Sequence, residues 1–134
     1  MFVIRIPRYW RSKGFRYRLE GYRCEKCGHF HHSPRLVCRK CGSRSIRRDR
    51  LSQTGRLISY TVVKSSTPLF EQYVPYVVGV VKMVDGSLVV GQVTDCDPEE
   101  LREDMQVEVT LRKIRVDGEN KLIQYGYKFR PVIE

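Results

Sequence analysis

The chain has 134 residues, 30% of them charged and 41% hydrophobic, with a formal net charge of +10. That length holds one compact domain and a small appendage, not a second large domain. The longest apolar run, VPYVVGVV, is eight residues and stops at Lys82, far short of a membrane span, so the chain is expected to be soluble and cytoplasmic, with no membrane partner.

Charge is unevenly spread. Residues 1–56 carry 16 Lys or Arg against 3 acids, and residues 57–134 carry 9 against 12, giving +13 and −3. A basic surface of that strength attracts anionic partners at long range: nucleic acid, phosphorylated cofactors or acidic protein faces.

Residues 1–23 interleave Tyr9, Trp10, Phe15 and Tyr17 with Arg8, Arg11, Arg16 and Arg18. Pro7 opens a short helix and Gly14 weakens it, which predicts an N-terminal helical segment. Trp, Tyr and Arg are the residue types that dominate interface hot spots, so Tyr9, Trp10, Phe15 and Tyr17 are candidates for a partner interface. Packing on the protein's own barrel is the competing reading.

Residues 24–50 contain CEKCGHFHHSPRLVCRKCG, with four of the five cysteines and all three histidines. Cys24 and Cys27 are two residues apart, as are Cys38 and Cys41, the layout of a tetrahedral thiolate site. Gly28 and Gly42 follow each pair, where a sharp turn favours positive φ. A disulfide framework expects an exported chain, and the opening residues MFVIRIPRYWRSK hold too short an apolar run for a signal peptide. A redox dithiol needs one C-x-x-C rather than two matched ones. Four cysteines close the coordination shell, so the metal is expected to be structural, not catalytic. Zinc is the first choice of ion, although four thiolates also hold iron and spacing does not separate them. His29, His31 and His32 are expected as exposed loop residues. Arg35, Arg39, Lys40 and Arg44 beside the knuckles are candidate contacts to an anionic ligand.

Residues 51–134 change to a strand-like pattern. GRLISYTVV, YVPYVVGVVKMV, SLVVGQVT, MQVEVTLRKIRV and KLIQYGYKF are five runs rich in Val, Ile, Thr and Tyr. VDGS at 84–87 and VDGEN at 116–120 are hairpin signals. DCDPEELREDM, with Asp97 before Pro98, predicts one short capped helix between the third and fourth strands. The inward face of the fourth run switches after Leu111, which predicts a bulge near Arg112 or Lys113. Three strands, a short helix and two strands follow the order of the OB-fold, a five-stranded barrel. The fold class is therefore mostly β.

The residues contain no Ser-His-Asp set, no paired-carboxylate motif and no phosphate-cradling glycine loop, so the chain is not expected to be an enzyme. Cys96 lies between Asp95 and Asp97, the wrong charge to activate a thiol, and reads as a buried structural cysteine. OB barrels bind single strands by stacking bases on aromatics. Tyr125, Tyr127 and Phe129 alternate onto one face of the last strand, so single-stranded nucleic acid is the leading partner from the residues alone.

The whole pattern resembles the DUF35 family, OB-fold proteins with a rubredoxin-like zinc ribbon. The resemblance rests on PRYW, the two knuckles with SPR between them, GRLISYTVV, VPYVVGVVKMVDGSLVVGQV and the terminal YKFRP. It implies a non-catalytic accessory role in acyl-CoA metabolism, with a thiolase or related condensing enzyme as partner. In archaea it implies association with hydroxymethylglutaryl-CoA synthase as well. CoA or acyl-CoA is the implied ligand, and a basic, aromatic-rich surface suits its anionic groups and adenine ring. With the resemblance added, this reading ranks above nucleic acid.

Overall fold

The structure, a computed structural model, describes residues 5–32, 35–68, 70–117 and 122–133. The SPR motif's Ser33 and Pro34 and the second hairpin turn, residues 118–120, lie outside the described residues. The chain divides into two compact units, residues 1–51 and 52–134.

The first unit opens with two six-residue helices, α1 (Ile6–Arg11) and α2 (Lys13–Arg18). Pro7 occupies the first turn of α1 as expected, since the missing N–H is not needed there. The helical path breaks at Ser12 rather than at Gly14. Ser12, at φ −98° and ψ 12°, leaves the helical angles, while its Oγ donates to the Arg8 carbonyl and accepts from Arg16 Nε, both at 2.9 Å. Leu19, in the left-handed region at φ 52°, ends α2 and is fully buried.

Three strands follow: β1 (Glu20–Cys24), β2 (Phe30–His31) and β3 (Ile46–Arg50). They pair antiparallel in the order β2-β1-β3, with Tyr22 opposite His31 and Gly21 opposite Asp49. Phe30 and His31 are buried beneath this pairing, so His31 is not the exposed loop residue its polar neighbours suggest. The charged run IRRDR makes a strand because its side chains find cross-strand partners. Arg23 Nε donates to Asp49 at 2.6 Å, and Arg48 donates to Glu20 at 2.7 Å.

The second unit is a closed five-stranded barrel of β4 (Thr54–Val63), β5 (Tyr76–Met83), β6 (Leu88–Val93), β7 (Gln106–Asp117) and β8 (Leu122–Pro131), in the order β4-β5-β6-β8-β7. Alternation sets the inward face. Val77, Gly79, Val81 and Met83 of β5 are buried between more exposed neighbours, and Leu57, Val89, Val93, Leu101, Val107 and Phe129 join them in the core. Gly91 is needed there, because a Cβ would stand 2.8 Å from the Phe129 ring. The bulge expected near Lys113 appears between Lys113 and Arg115, and a second lies between Leu57 and Ser59. Gly86, at φ 94°, makes the first hairpin turn. The capped helix after β6 is a single 3-10 turn, Pro98–Glu100, with Asp97 accepting from the Glu99 amide at 3.1 Å. Among the described residues no helix is long and apolar enough to cross a membrane.

Candidate metal centre and adjoining groove

Each C-x-x-C pair sits in the same backbone device. The Cys24 amide donates to the His29 carbonyl at 3.0 Å, and the Cys38 amide to the Ser43 carbonyl at 2.8 Å. Gly28 returns a bond to Cys24 at 2.9 Å and Gly42 to Cys38 at 3.0 Å, with φ of 76° and 75°. A side chain at those angles is strained, which is why both positions are glycine. The two knuckles are thus near-copies, fourteen positions apart, facing each other.

All four sulfurs converge. They lie within 4.8 Å of one another, with Cys24 and Cys41 Sγ at 3.5 Å and Cys27 and Cys38 Sγ at 3.5 Å. Thiolates around one tetrahedral ion at about 2.3 Å stand roughly 3.8 Å apart, so the spacing fits. Cys24 and Cys38 are buried, and Cys27 and Cys41 face outward.

The electrostatics ask for a cation. The Cys27 amide, followed by that of Lys26, draws the Cys24 thiol down to about 6 against the cost of burial. The Cys41 amide, then that of Lys40, lowers Cys38 in the same way. Cys41 moves the other way, to about 11. The Ser43 amide pulls it down, but burial and the sulfurs of Cys24, Cys27 and Cys38 outweigh it. Four thiolates cannot share this space without a positive ion between them. The donor set therefore fits a closed tetrathiolate metal.

The histidines stand apart from this set. His31 is buried, its ring edge-on to His29 with centroids 4.7 Å apart, and its Nε2 has no hydrogen-bond partner among the described residues. Burial, then the charges of His29, Arg35 and Arg39, push its pKa down and keep it neutral. His32 packs against Phe15 and Phe30 instead.

The four predicted interface aromatics divide. Trp10 is 69% exposed with Lys13 Nζ 3.8 Å above its ring, and Tyr17 is 40% exposed. Tyr9 lies half-buried under the Arg16 guanidinium. Phe15 turns inward to line a groove of about 870 Å³ within the first unit. Its walls are α1 and the start of β1, with Arg5, Arg8, Arg11 and Arg48 around Phe15 and Tyr22. Arg35, Arg39, Lys40 and Arg44 are exposed around the second knuckle and do not line it. The groove arginines carry a signal in the sequence, three-residue spacing along α1, that nearness to the knuckles does not pick out.

In the barrel, Tyr127 and Phe129 turn inward. Phe129 is fully buried and the Tyr127 hydroxyl donates to the Val90 carbonyl at 2.9 Å, leaving only Tyr125 of that trio exposed. Cys96 is half-buried, not fully buried. Burial, then Glu100, Asp95 and Asp97, raises its pKa.

Residues 14–47 match the model of the ChsH2 rubredoxin-like zinc ribbon domain, and residues 49–112 match that of the ChsH2 C-terminal OB-fold domain. Over 131 residues the chain is 44% identical to a DUF35 domain-containing scaffold protein of Pyrococcus furiosus, covering 98% of this chain and 96% of that one. The chain belongs to the DUF35 family. A second DUF35 domain-containing scaffold protein, from Methanocaldococcus jannaschii, is 38% identical over 95% of this chain and 91% of its own. A benzoylsuccinyl-CoA thiolase subunit, BbsA of Geobacter metallireducens, is 29% identical over 85% of this DUF35 chain and 75% of its own. Among solved structures, the Ltp2-ChsH2(DUF35) aldolase superposes with a TM-score of 0.67 at 26% identity, covering 94% of this chain and 91% of that one.

Proposed function

We propose that this DUF35 protein is a non-catalytic accessory subunit of a thiolase-type enzyme, and that one zinc ion on Cys24, Cys27, Cys38 and Cys41 holds its ribbon together. The observation that carries this reading is α1, a helix with no buried residue that presents Trp10 and Ile6 to solvent at 69% and 60% exposure. A six-residue helix is marginal in water without tertiary contacts. Its apolar face is suited to burial in an assembly.

The relatives' names agree in kind: scaffold proteins, a thiolase subunit, and a complex described as an aldolase. Zinc supplies structure only, since four thiolates leave no position for water or substrate. The chain's own residues then present two surfaces, a basic, aromatic one on the first unit and a less charged one on the barrel. Hydroxymethylglutaryl-CoA synthase is the second enzyme in this proposal, and CoA or acyl-CoA is the ligand class that the partners handle. The inward turn of Tyr127 and Phe129 removes most of the stacking face on which the nucleic-acid reading rested.

Co-expression with the thiolase from the same source tests the reading. A co-eluting complex on size-exclusion chromatography at low salt, with acyl transfer faster than by the thiolase alone, is the expected result. Absence of any thiolase or synthase from gentle pull-downs overturns it.

A further inference from the structure

The groove between α1 and β1 combines features that a solvated surface does not need. Arg5, Arg8 and Arg11 line it at three-residue intervals, so their Cα atoms climb one wall in steps of about 4.5 Å. None of the three has an acidic side-chain partner among the described residues. The one acid in the lining, Glu20, is already held on both oxygens, by Arg18 at 3.1 Å and Arg48 at 2.7 Å. The apolar part of the lining comes from Pro7, Phe15 and Tyr22.

We propose that this groove is the docking site for an acidic amphipathic helix of the partner enzyme. The proposal rests on the accessory-subunit reading and names the chemistry of the contact. Acids three or four residues apart on a helix have Cβ atoms about 5–6 Å from each other, the same neighbour spacing that the groove arginines have along α1. A single phosphate is better met by arginines converging on one point than by a ladder of them. The apolar lining of Phe15, Tyr22 and Pro7 accepts a Leu or Phe side chain from the same helix, as interface anchors do. Glu20 serves a second purpose here: its ion pair with Arg48 offsets the positive charge that Arg48 would otherwise add to the wall facing α1. The groove's free charge is thus concentrated on one side, which sets the orientation of an acidic helix laid along it.

The test compares wild-type protein with the Arg8→Glu/Arg11→Glu double variant, both metal-loaded, in binding to the thiolase from the same source. A synthetic helical peptide, with Glu at every third or fourth position and Leu on one face, is titrated in parallel. Both arginines are exposed, so unchanged melting and metal content are expected. A loss of fivefold or more in thiolase affinity, with loss of peptide binding, supports the proposal. A wild-type complex that the variant forms within fivefold overturns the groove and leaves the accessory reading standing. If wild type binds no thiolase, the accessory reading fails, and failure of the peptide to bind then overturns the groove as well. Peptide binding that wild type shows and the variant loses supports the groove even in that case. Displacement of the thiolase by micromolar ADP or inorganic diphosphate assigns the groove to a small anion and overturns the proposal.

Discussion

Tyr127 donates its hydroxyl to the Val90 carbonyl at 2.9 Å, across the seam where β6 and β8 share a single pairing, Val93 with Phe129. Every other neighbouring pair of strands in the barrel is joined at three or more positions. A side chain here substitutes for a ladder bond. Burial raises the Tyr127 pKa, which keeps the phenol protonated and able to donate. Tyr127→Phe is expected to cost about 1 kcal/mol by leaving the Val90 carbonyl without this donor. Tyr127→Ala, which also empties space beside Phe129, is expected to cost about 3 kcal/mol. Denaturant melts of both variants check this, and a Tyr127→Phe variant as stable as wild type would mean that ring packing, not the hydroxyl, closes the seam.

The metal centre makes a separable prediction. Purified protein should contain one zinc per chain by elemental analysis. An iron-thiolate absorption spectrum would keep the site and change the ion. Cys24→Ser should abolish stoichiometric metal, and with it the binding energy of about 10 kcal/mol or more on which such small ribbons depend. Barrel circular dichroism should survive, because the second unit has its own core of Leu57, Val81, Val107 and Phe129. Cys96→Ser should keep full metal content; equal loss in both variants would remove the assignment.

Much of this architecture is legible in the chain because strong local rules act alone. The paired C-x-x-C turns and their glycines require one geometry, and the five strand runs follow period-two alternation into the barrel order. What is not legible depends on partners far away in sequence. Ile46–Arg50 has the composition of a solvated loop and becomes β3 through Arg23–Asp49 and Arg48–Glu20, pairs formed across 26 and 28 residues. His31 is buried for the same reason, by pairing with β1. Alternation places Tyr125, Tyr127 and Phe129 on one face but cannot tell the inside of a closed barrel from its outside. The groove depends on α1 meeting β1, so no single stretch contains it.

Cys96 should behave as a poor nucleophile. Burial first, then the charges of Glu100, Asp95 and Asp97, raises its pKa above the ordinary thiol value. A raised thiol pKa means less thiolate at any given pH, so alkylation of metal-loaded protein should still be climbing with pH where a free cysteine, with pKa about 8.5, has levelled. Iodoacetamide rates across the alkaline range measure this, with Cys96→Ser as the blank. A midpoint at or below that of free cysteine would show that the acids do not act on the sulfur.

Trp10 and Phe15 should separate interface from fold. Trp10 is 69% exposed, and its only described ring contact is the Lys13 ammonium, so Trp10→Ala should change stability by no more than about 0.5 kcal/mol. Phe15 packs against His32 with ring centroids 6.2 Å apart and lines the groove, so Phe15→Ala should lower the stability of the first unit as well as any binding. If α1 docks on the thiolase, Trp10 is the residue type and exposure expected of an anchor. Its truncation should then cost about 2 kcal/mol of binding, roughly thirtyfold in Kd. Thermal melts of the free variants beside titration calorimetry with the thiolase give both numbers. Unfolding of Trp10→Ala in isolation would make the tryptophan a core residue, and unchanged affinity in a well-folded variant would move the interface elsewhere on the chain.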